Sequence, residues 1–338
     1  MKKIRIGLMG FGQVGRQIYR LAMDDERFEV VAISDIGQPE ILQHLLNKSM
    51  GGGEKVQLET NHLVSGEMKS RLMPANHPTE IPWDVFGTDV VIDASGKFRS
   101  SEQLQPHLQN GADRVILSVL PEGEIDRVIL CGVNEADAKA QDRIVSAGSG
   151  STTASALALK VISDAFEIEH ATMTSVHAYT SDQSLQDHAG ADYRRSRSGA
   201  ENIIPNETPA LKWVQRALPA IEGRMTAYAL NVPVQSGSML DLTVSLKDPL
   251  TSISALNDLF IEAAKKQPQL IETTAEPIVS SDVKGSSKSL LVDLLGSMKA
   301  GTNMAKILAW HETLGHARRI LDVAAMYGSL DQQQKEAS

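Results

Sequence analysis

Cysteine is nearly absent from this 338-residue chain: Cys131 is the only one. That excludes an intrachain disulfide framework and suits a reducing compartment. Cys131 lies in the apolar run Val128-Ile129-Leu130-Cys131-Gly132-Val133, where a small buried hydrophobe in a strand is expected rather than a reactive thiol. Long apolar runs are missing as well, with nothing near the ~18 residues of a membrane span. The start, Met1-Lys2-Lys3-Ile4-Arg5-Ile6-Gly7, is charged and then strand-like, without a signal-peptide core. Positive charge is in deficit, 33 Lys and Arg against 42 Asp and Glu for a net charge of −9, which argues against a nucleic-acid or anionic-membrane partner. No internal repeat or low-complexity stretch is present, and only residues 331–338 read as disordered. A cytoplasmic protein of about two domains is expected from this length.

Residues 1–150 alternate between strand and helix patterns. The apolar run 4–9 leads directly into Gly10-Phe11-Gly12-Gln13-Val14-Gly15, then a helical stretch at 16–23 and a second strand at 28–33 ending in Ser34-Asp35. A lone GxGxxG is weak evidence. Strand, GxGxxG, helix, strand and an acidic residue, Asp35, 20 positions after Gly15 form the whole fingerprint of a dinucleotide site. Gly10 permits the tight turn, Gly12 lets a pyrophosphate approach the backbone, and Gly15 allows close helix–strand packing. The helix start offers N–H groups and a partial positive charge. Asp35 would accept hydrogen bonds from ribose hydroxyls and repel a 2′-phosphate, so NAD is expected over NADP. Further buried-strand runs end in Ala94-Ser95-Gly96 and in Leu117-Ser118, the strand ends at which a doubly wound sheet meets its ligand.

The second half changes character. Strand-like segments at 172–177, 228–232, 239–246 and 307–310 are separated by loop and helix, which reads as a mixed, largely antiparallel sheet with helices on one face. The fold class is therefore α/β: a doubly wound Rossmann domain, 1–150, and an α+β substrate domain, 151–316. Between them Arg143-Ile144-Val145 feeds Ser146-Ala147-Gly148-Ser149-Gly150-Ser151-Thr152-Thr153 and a helix expected over 154–166. A strand passing into a helix through small hydroxyl residues leaves N–H groups free for an anion or a developing oxyanion.

That stretch, together with Thr174-Ser175-Val176-His177-Ala178-Tyr179-Thr180-Ser181-Asp182-Gln183 and Arg194-Arg195-Ser196-Arg197-Ser198-Gly199-Ala200-Glu201-Asn202-Ile203-Ile204-Pro205, resembles the phosphorylating glyceraldehyde-3-phosphate dehydrogenases and their erythrose-4-phosphate dehydrogenase relatives. The likeness runs from Arg5 to about Met326. It implies a homotetramer of carbohydrate metabolism that binds NAD and a small phosphorylated aldehyde, with a C-terminal helix at 317–330 packing back on the dinucleotide domain and no metal. His177 matches the family's general base and thiolate partner. Ser95-Gly96 match a Thr-Gly pair near the nicotinamide. Ser149, Ser151 and Thr152 match hydroxyl residues around the nucleophile, some of which contact phosphate. Thr180 and Asp182 match the pair near the substrate phosphate, and Thr208 the threonine of the inorganic-phosphate site. Arg194, Arg195 and Arg197 match a loop bordering the neighbouring subunit's cofactor.

Three departures bear on function. The family reads Ser-Asn-Ala-Ser-Cys-Thr-Thr-Asn where this chain has Ser146 to Thr153, and alignment without gaps from His177 puts Gly150 at the nucleophilic cysteine. Asn231 stands where the family carries a phosphate-gripping arginine. Trp310-His311-Glu312-Thr313-Leu314-Gly315-His316 is one residue shorter than its counterpart and lacks an asparagine that orients the nicotinamide amide. Changes at several places point to natural divergence rather than one engineered substitution. Three readings stay open: a family dehydrogenase whose nucleophile is either altered by engineering at Gly150 or supplied by Ser151 through a one-residue gap, an enzyme that oxidises the aldehyde hydrate directly with His177 as base, and an NAD-binding pseudoenzyme that senses or scaffolds.

Overall fold

Ile4–Met9, the first apolar run, forms β1 in the computed structural model, which describes residues 3–51, 55–180 and 183–336. The glycine loop follows and then α1 (Gln13–Met23), β2 (Phe28–Ser34) and α2 (Pro39–Ser49). Three short strands, β3 (Gln57–Glu59), β4 (His62–Ser65) and β5 (Met68–Met73), precede β6 (Val90–Asp93), α3 (Ser101–Gln109), β7 (Arg114–Leu117), β8 (Arg127–Val128) and β9 (Ile144–Ser146). The sheet order is β3-β4-β5-β2-β1-β6-β7-β9-β8. From β5 to β8 every neighbouring pair is parallel, while β3 to β5 add an antiparallel edge. Strand order reverses between β1 and β6, the switch point at which such sheets bind ligands beyond their strand C-termini.

The second sheet is built from β10 (Ile168–Ala178), β11 (Ile204–Asn206), β12 (Met225–Val232), β13 (Ser238–Leu246), β14 (Ile271–Thr274), β15 (Leu290–Ala300) and β16 (Met304–His311), in the order β11-β12-β10-β13-β16-β15-β14. β10 with β12 and β14 with β15 are parallel and the other pairs antiparallel, the mixed sheet expected. Helices α4 (Gly150–Ser163), α5 (Ala210–Ala217) and α6 (Ile253–Lys266) accompany it, and α7 (Thr313–Glu336) closes the chain. Alternation along β13, half-buried then buried from Met239 to Leu246, shows one face of that sheet carrying the core.

The chain divides into one unit of Met1–Ile129, Glu135–Gly148 and Ala317–Ser338, and a second of Leu130–Asn134 and Ser149–His316. Several expectations change. α4 begins at Gly150, four residues before the expected start, because Ser149 caps it: its Oγ accepts the N–H of Thr152 at 3.2 Å. β8 stops at Val128, so Cys131 is buried in a turn and not in a strand; there the amide of Leu130 bonds the Asn134 side chain at 2.7 Å. Residues 331–336 are helical, where disorder was expected. Asp331 is the reason: it takes two hydrogen bonds, 2.6 and 3.0 Å, from buried Arg114, whose guanidinium also lies 4.4 Å from the ring centre of Tyr327.

Candidate active site

In the first unit the glycine loop is built as a phosphate cradle. Gly10 has φ +89°, and a Cβ there would fall 2.7 Å from the amide nitrogen of Ser95, so only glycine lets the turn lie against the end of β6. A Cβ at Gly15 would sit 2.1 Å from the carbonyl oxygen of Gly10, which fixes how closely α1 meets β1. Around Gly12 the space is open, and α1 has no side-chain N-cap, so the helix-start amides keep their capacity for an anion. Gln13 and Val14 open that helix, and buried Phe11 packs edge-to-face on Tyr19. Asp35 does more than the sequence suggested. Its two oxygens accept the N–H groups of Phe11 at 2.7 Å and Gly37 at 2.8 Å, tying the acidic residue to the glycine loop. Ser118 is buried at the end of β7, its amide bonded to the Asp93 carbonyl. These groups fit a dinucleotide: uncapped amides for its pyrophosphate and a fixed carboxylate with lone pairs left for ribose hydroxyls.

The second unit gathers a histidine cluster at the start of α4. His177, near the end of β10, shares a 2.9 Å hydrogen bond between its Nε2 and the Oγ of buried Ser175. His311 ends β16, two strands away in the sheet, and its ring meets that of His177 edge-on with centroids 5.9 Å apart. A Cβ at Gly150 would lie 3.1 Å from Nδ1 and 3.6 Å from Cε1 of His311, and 3.8 Å from Cβ of His316. The imidazole of His311 thus stands where a side chain at position 150 would project. Burial, together with the neighbouring His177 and His316, pushes the His311 pKa down to about 3, and burial lowers that of His177. Both rings are neutral bases at physiological pH. Among the described residues neither has a carboxylate partner, and the Nε2 of His311, in a side chain 6% exposed, has no hydrogen bond.

The hydroxyls near the helix start face one another. Ser149 Oγ lies 2.6 Å from Thr152 Oγ1 and 3.3 Å from Ser151 Oγ, and Ser151 and Thr152 are buried. Ser151 is therefore bonded to Ser149, while His177 is bonded to Ser175. Asn231 pairs in register with His177 on the adjoining β12. It donates to Gln183 Oε1 at 2.7 Å and accepts from the Asn206 amide, so an amide chain fills this place. Thr180 donates its N–H to Gln183 Oε1 at 3.3 Å; Asp182 lies outside the described residues. Thr208 Oγ1 accepts the Ala210 amide at the start of α5. Arg195 sits in a loop whose turn is held by Asp192, which accepts the amides of Arg194 and Arg195, both at 2.8 Å.

Sequence reasoning missed His311, His316, Gln183 and Asn206 as site residues. The available signal was the coincidence of a glycine at 150 with a histidine at 311, which only the pairing of β10, β13 and β16 converts into a contact.

Comparison with known proteins agrees with this geometry. Residues 4–101 match the glyceraldehyde 3-phosphate dehydrogenase NAD binding domain, and 149–313 the C-terminal domain of the same family. The chain is 35% identical over 333 residues to glyceraldehyde-3-phosphate dehydrogenase of Borreliella burgdorferi, covering 95% of this chain and 98% of that one. It is 34% identical over 329 residues to glyceraldehyde-3-phosphate dehydrogenase 1 of Bacillus subtilis, covering 95% and 97%, and 35% identical over 337 residues to the Mycobacterium avium enzyme, covering 96% and 98%. With a glycine cradle that fits a dinucleotide and a catalytic-type unit matched from its first helix to its last strand, the chain belongs to the NAD-dependent glyceraldehyde-3-phosphate dehydrogenase family.

Proposed function

We propose that this chain is an oxidoreductase of small sugar-type aldehydes, phosphorylated or not, that works without a thiol and releases a free acid. The observation that carries this reading is the neutral His311 ring in the space beside Gly150. On the gap-free alignment Gly150 replaces the family's cysteine, so no group at that point forms a hemithioacetal, and the acyl-enzyme route that consumes inorganic phosphate is closed. What remains is a base. With Nε2 bonded to Ser175, Nδ1 of His177 is left to take a proton, and its lowered pKa keeps it unprotonated at neutral pH. The substrate in this scheme is the aldehyde hydrate, R–CH(OH)2. His177 takes a hydroxyl proton as the C–H bond is lost as hydride, and the product is the carboxylic acid. Bound NAD supplies the hydride acceptor. The amide chain through Asn231 offers no positive charge to a phosphate, so phosphorylated substrates gain less here than an arginine would give them.

We read the assembly as a homotetramer in the cytoplasm. The arginine loop exposes Tyr193 and Ile203, 96% and 65% accessible, apolar groups of the kind that a neighbouring subunit covers. Among the described residues no helix is long and apolar enough to cross a membrane.

A non-catalytic, NAD-binding role is the second reading. It draws on the Nε2 of His311, buried and without a hydrogen bond among the described residues, in a ring that takes up space beside Gly150. NADH formation from glyceraldehyde and from glyceraldehyde-3-phosphate, with and without inorganic phosphate, separates the two. Slow, phosphate-independent turnover that disappears in His177→Ala supports oxidation of the hydrate. NAD binding without any turnover gives the second reading.

A further inference from the structure

Next to the glycine loop runs a line of buried polar side chains from three separate elements. Trp83 lies in a short 3-10 turn, His107 in α3, and Asp93 at the C-terminal end of β6; none is more than 2% exposed. An indole N–H only donates. Trp83 Nε1 donates to His107 Nδ1 at 2.9 Å, so Nδ1 carries no proton and the ring is the Nε2–H tautomer. That N–H faces Asp93 Oδ2 at 3.4 Å. The other oxygen, Oδ1, accepts the Ser95 N–H at 2.9 Å and the Ser95 hydroxyl at 2.6 Å. A carboxylate oxygen only accepts, so the hydroxyl proton of Ser95 is committed to Asp93. What Ser95 offers outward is lone pairs. One takes the Lys97 amide at 3.2 Å, and the other has no partner among the described residues.

The place matters. Ser95 follows β6 and its amide lies against Gly10, which follows β1; the two strands flank the point where strand order reverses. A buried polar chain is costly unless every member is satisfied, and an apolar core would serve packing alone. We infer that Trp83, His107 and Asp93 form a positioning relay that presents Ser95 Oγ as a hydrogen-bond acceptor to the bound dinucleotide. Its partner is then a hydroxyl or amide N–H of NAD and not a phosphate oxygen, because two acceptors repel.

Calorimetric titration of the full chain with NAD tests this. Ser95→Ala weakens binding roughly 3–10-fold, the effect of one neutral hydrogen bond, and Ser95→Thr retains it. His107→Phe weakens binding by a similar factor, and the double variant His107→Phe with Ser95→Ala loses no more than either alone. Additive losses, or no effect of Ser95→Ala, overturn the relay. With inorganic pyrophosphate as probe, Ser95→Ala binds like the unmodified chain; weakened pyrophosphate binding would assign Ser95 to phosphate and overturn the proposal. Nitrogen-15 spectra of the unmodified protein need no variant to fold. They should show His107 with Nδ1 bare and Nε2 protonated, and a protonated Nδ1 contradicts the relay.

Discussion

Gly150 and His311 compete for one volume: a Cβ on the first would come within 3.1 Å of Nδ1 on the second. Contacts that short require the ring to move by a few tenths of an ångström, and His311 is packed against His177. The glycine and the histidine are therefore coupled in space, and a side chain added at position 150 requires the His311 ring to shift.

Gly150→Cys on its own is expected to restore little phosphate-dependent activity and to cost about 1–3 kcal/mol of stability by overpacking. Gly150→Cys with His311→Ala should recover both in part, because the second change vacates the space. Urea midpoints and NADH formation with inorganic phosphate check this. Equal behaviour of the single and double variants would separate the two positions.

The histidine cluster sets a pH dependence whose sign follows from the direction of the shift. Folded His311 titrates at about 3 and an unfolded histidine near 6.5. Between those values the unfolded chain binds a proton that the folded one refuses. Stability is therefore fully present above about pH 6.5 and falls as the pH drops through that window, by up to about 1.4 kcal/mol per unit. His177, also lowered by burial, acts with the same sign, and His316 adds repulsion. His311→Phe should flatten the curve between about pH 7 and 5, measured as the difference in urea midpoint from the unmodified chain.

The glycine cradle was legible in the sequence because its chemistry is local: strand, loop, helix and Asp35 fall within one short segment, and spacing alone placed them. His177 was legible through its flanking residues, and Ser175 shares its face of β10 by the two-residue period of a strand. His311 was not, because it reaches the start of α4 only once β13 has paired with both β10 and β16. The Gln183–Asn231–Asn206 chain was hidden for the same reason, since it needs the β10–β12 register and the return of β11. The early start of α4 turned on a serine cap, a signal confined to one residue.

Asn231→Ala should leave Gln183 Oε1 and the Asn206 amide without their buried partner. A loss of about 1–3 kcal/mol in stability is expected, with no change in NAD affinity. Chemical denaturation and calorimetry on the same preparation check it; an unchanged midpoint would remove the amide chain from the account.

Asp35 holds the glycine loop through the amides of Phe11 and Gly37, and it is the carboxylate expected to meet the adenosine ribose. NAD should therefore bind more tightly than NADP, and Asp35→Ala should weaken NAD and not merely admit NADP. Calorimetric titration with both dinucleotides decides; equal affinities for the unmodified chain contradict this assignment.

The product of the reaction tests the central claim most directly. Phosphorus-31 spectra of a mixture of this protein, NAD, inorganic phosphate and glyceraldehyde-3-phosphate should show the free carboxylate and no acyl phosphate, with the inorganic phosphate signal undiminished. An acyl phosphate formed by the unmodified chain would mean that a covalent acyl-enzyme exists after all, and that another residue, Ser151 first, carries the acyl group.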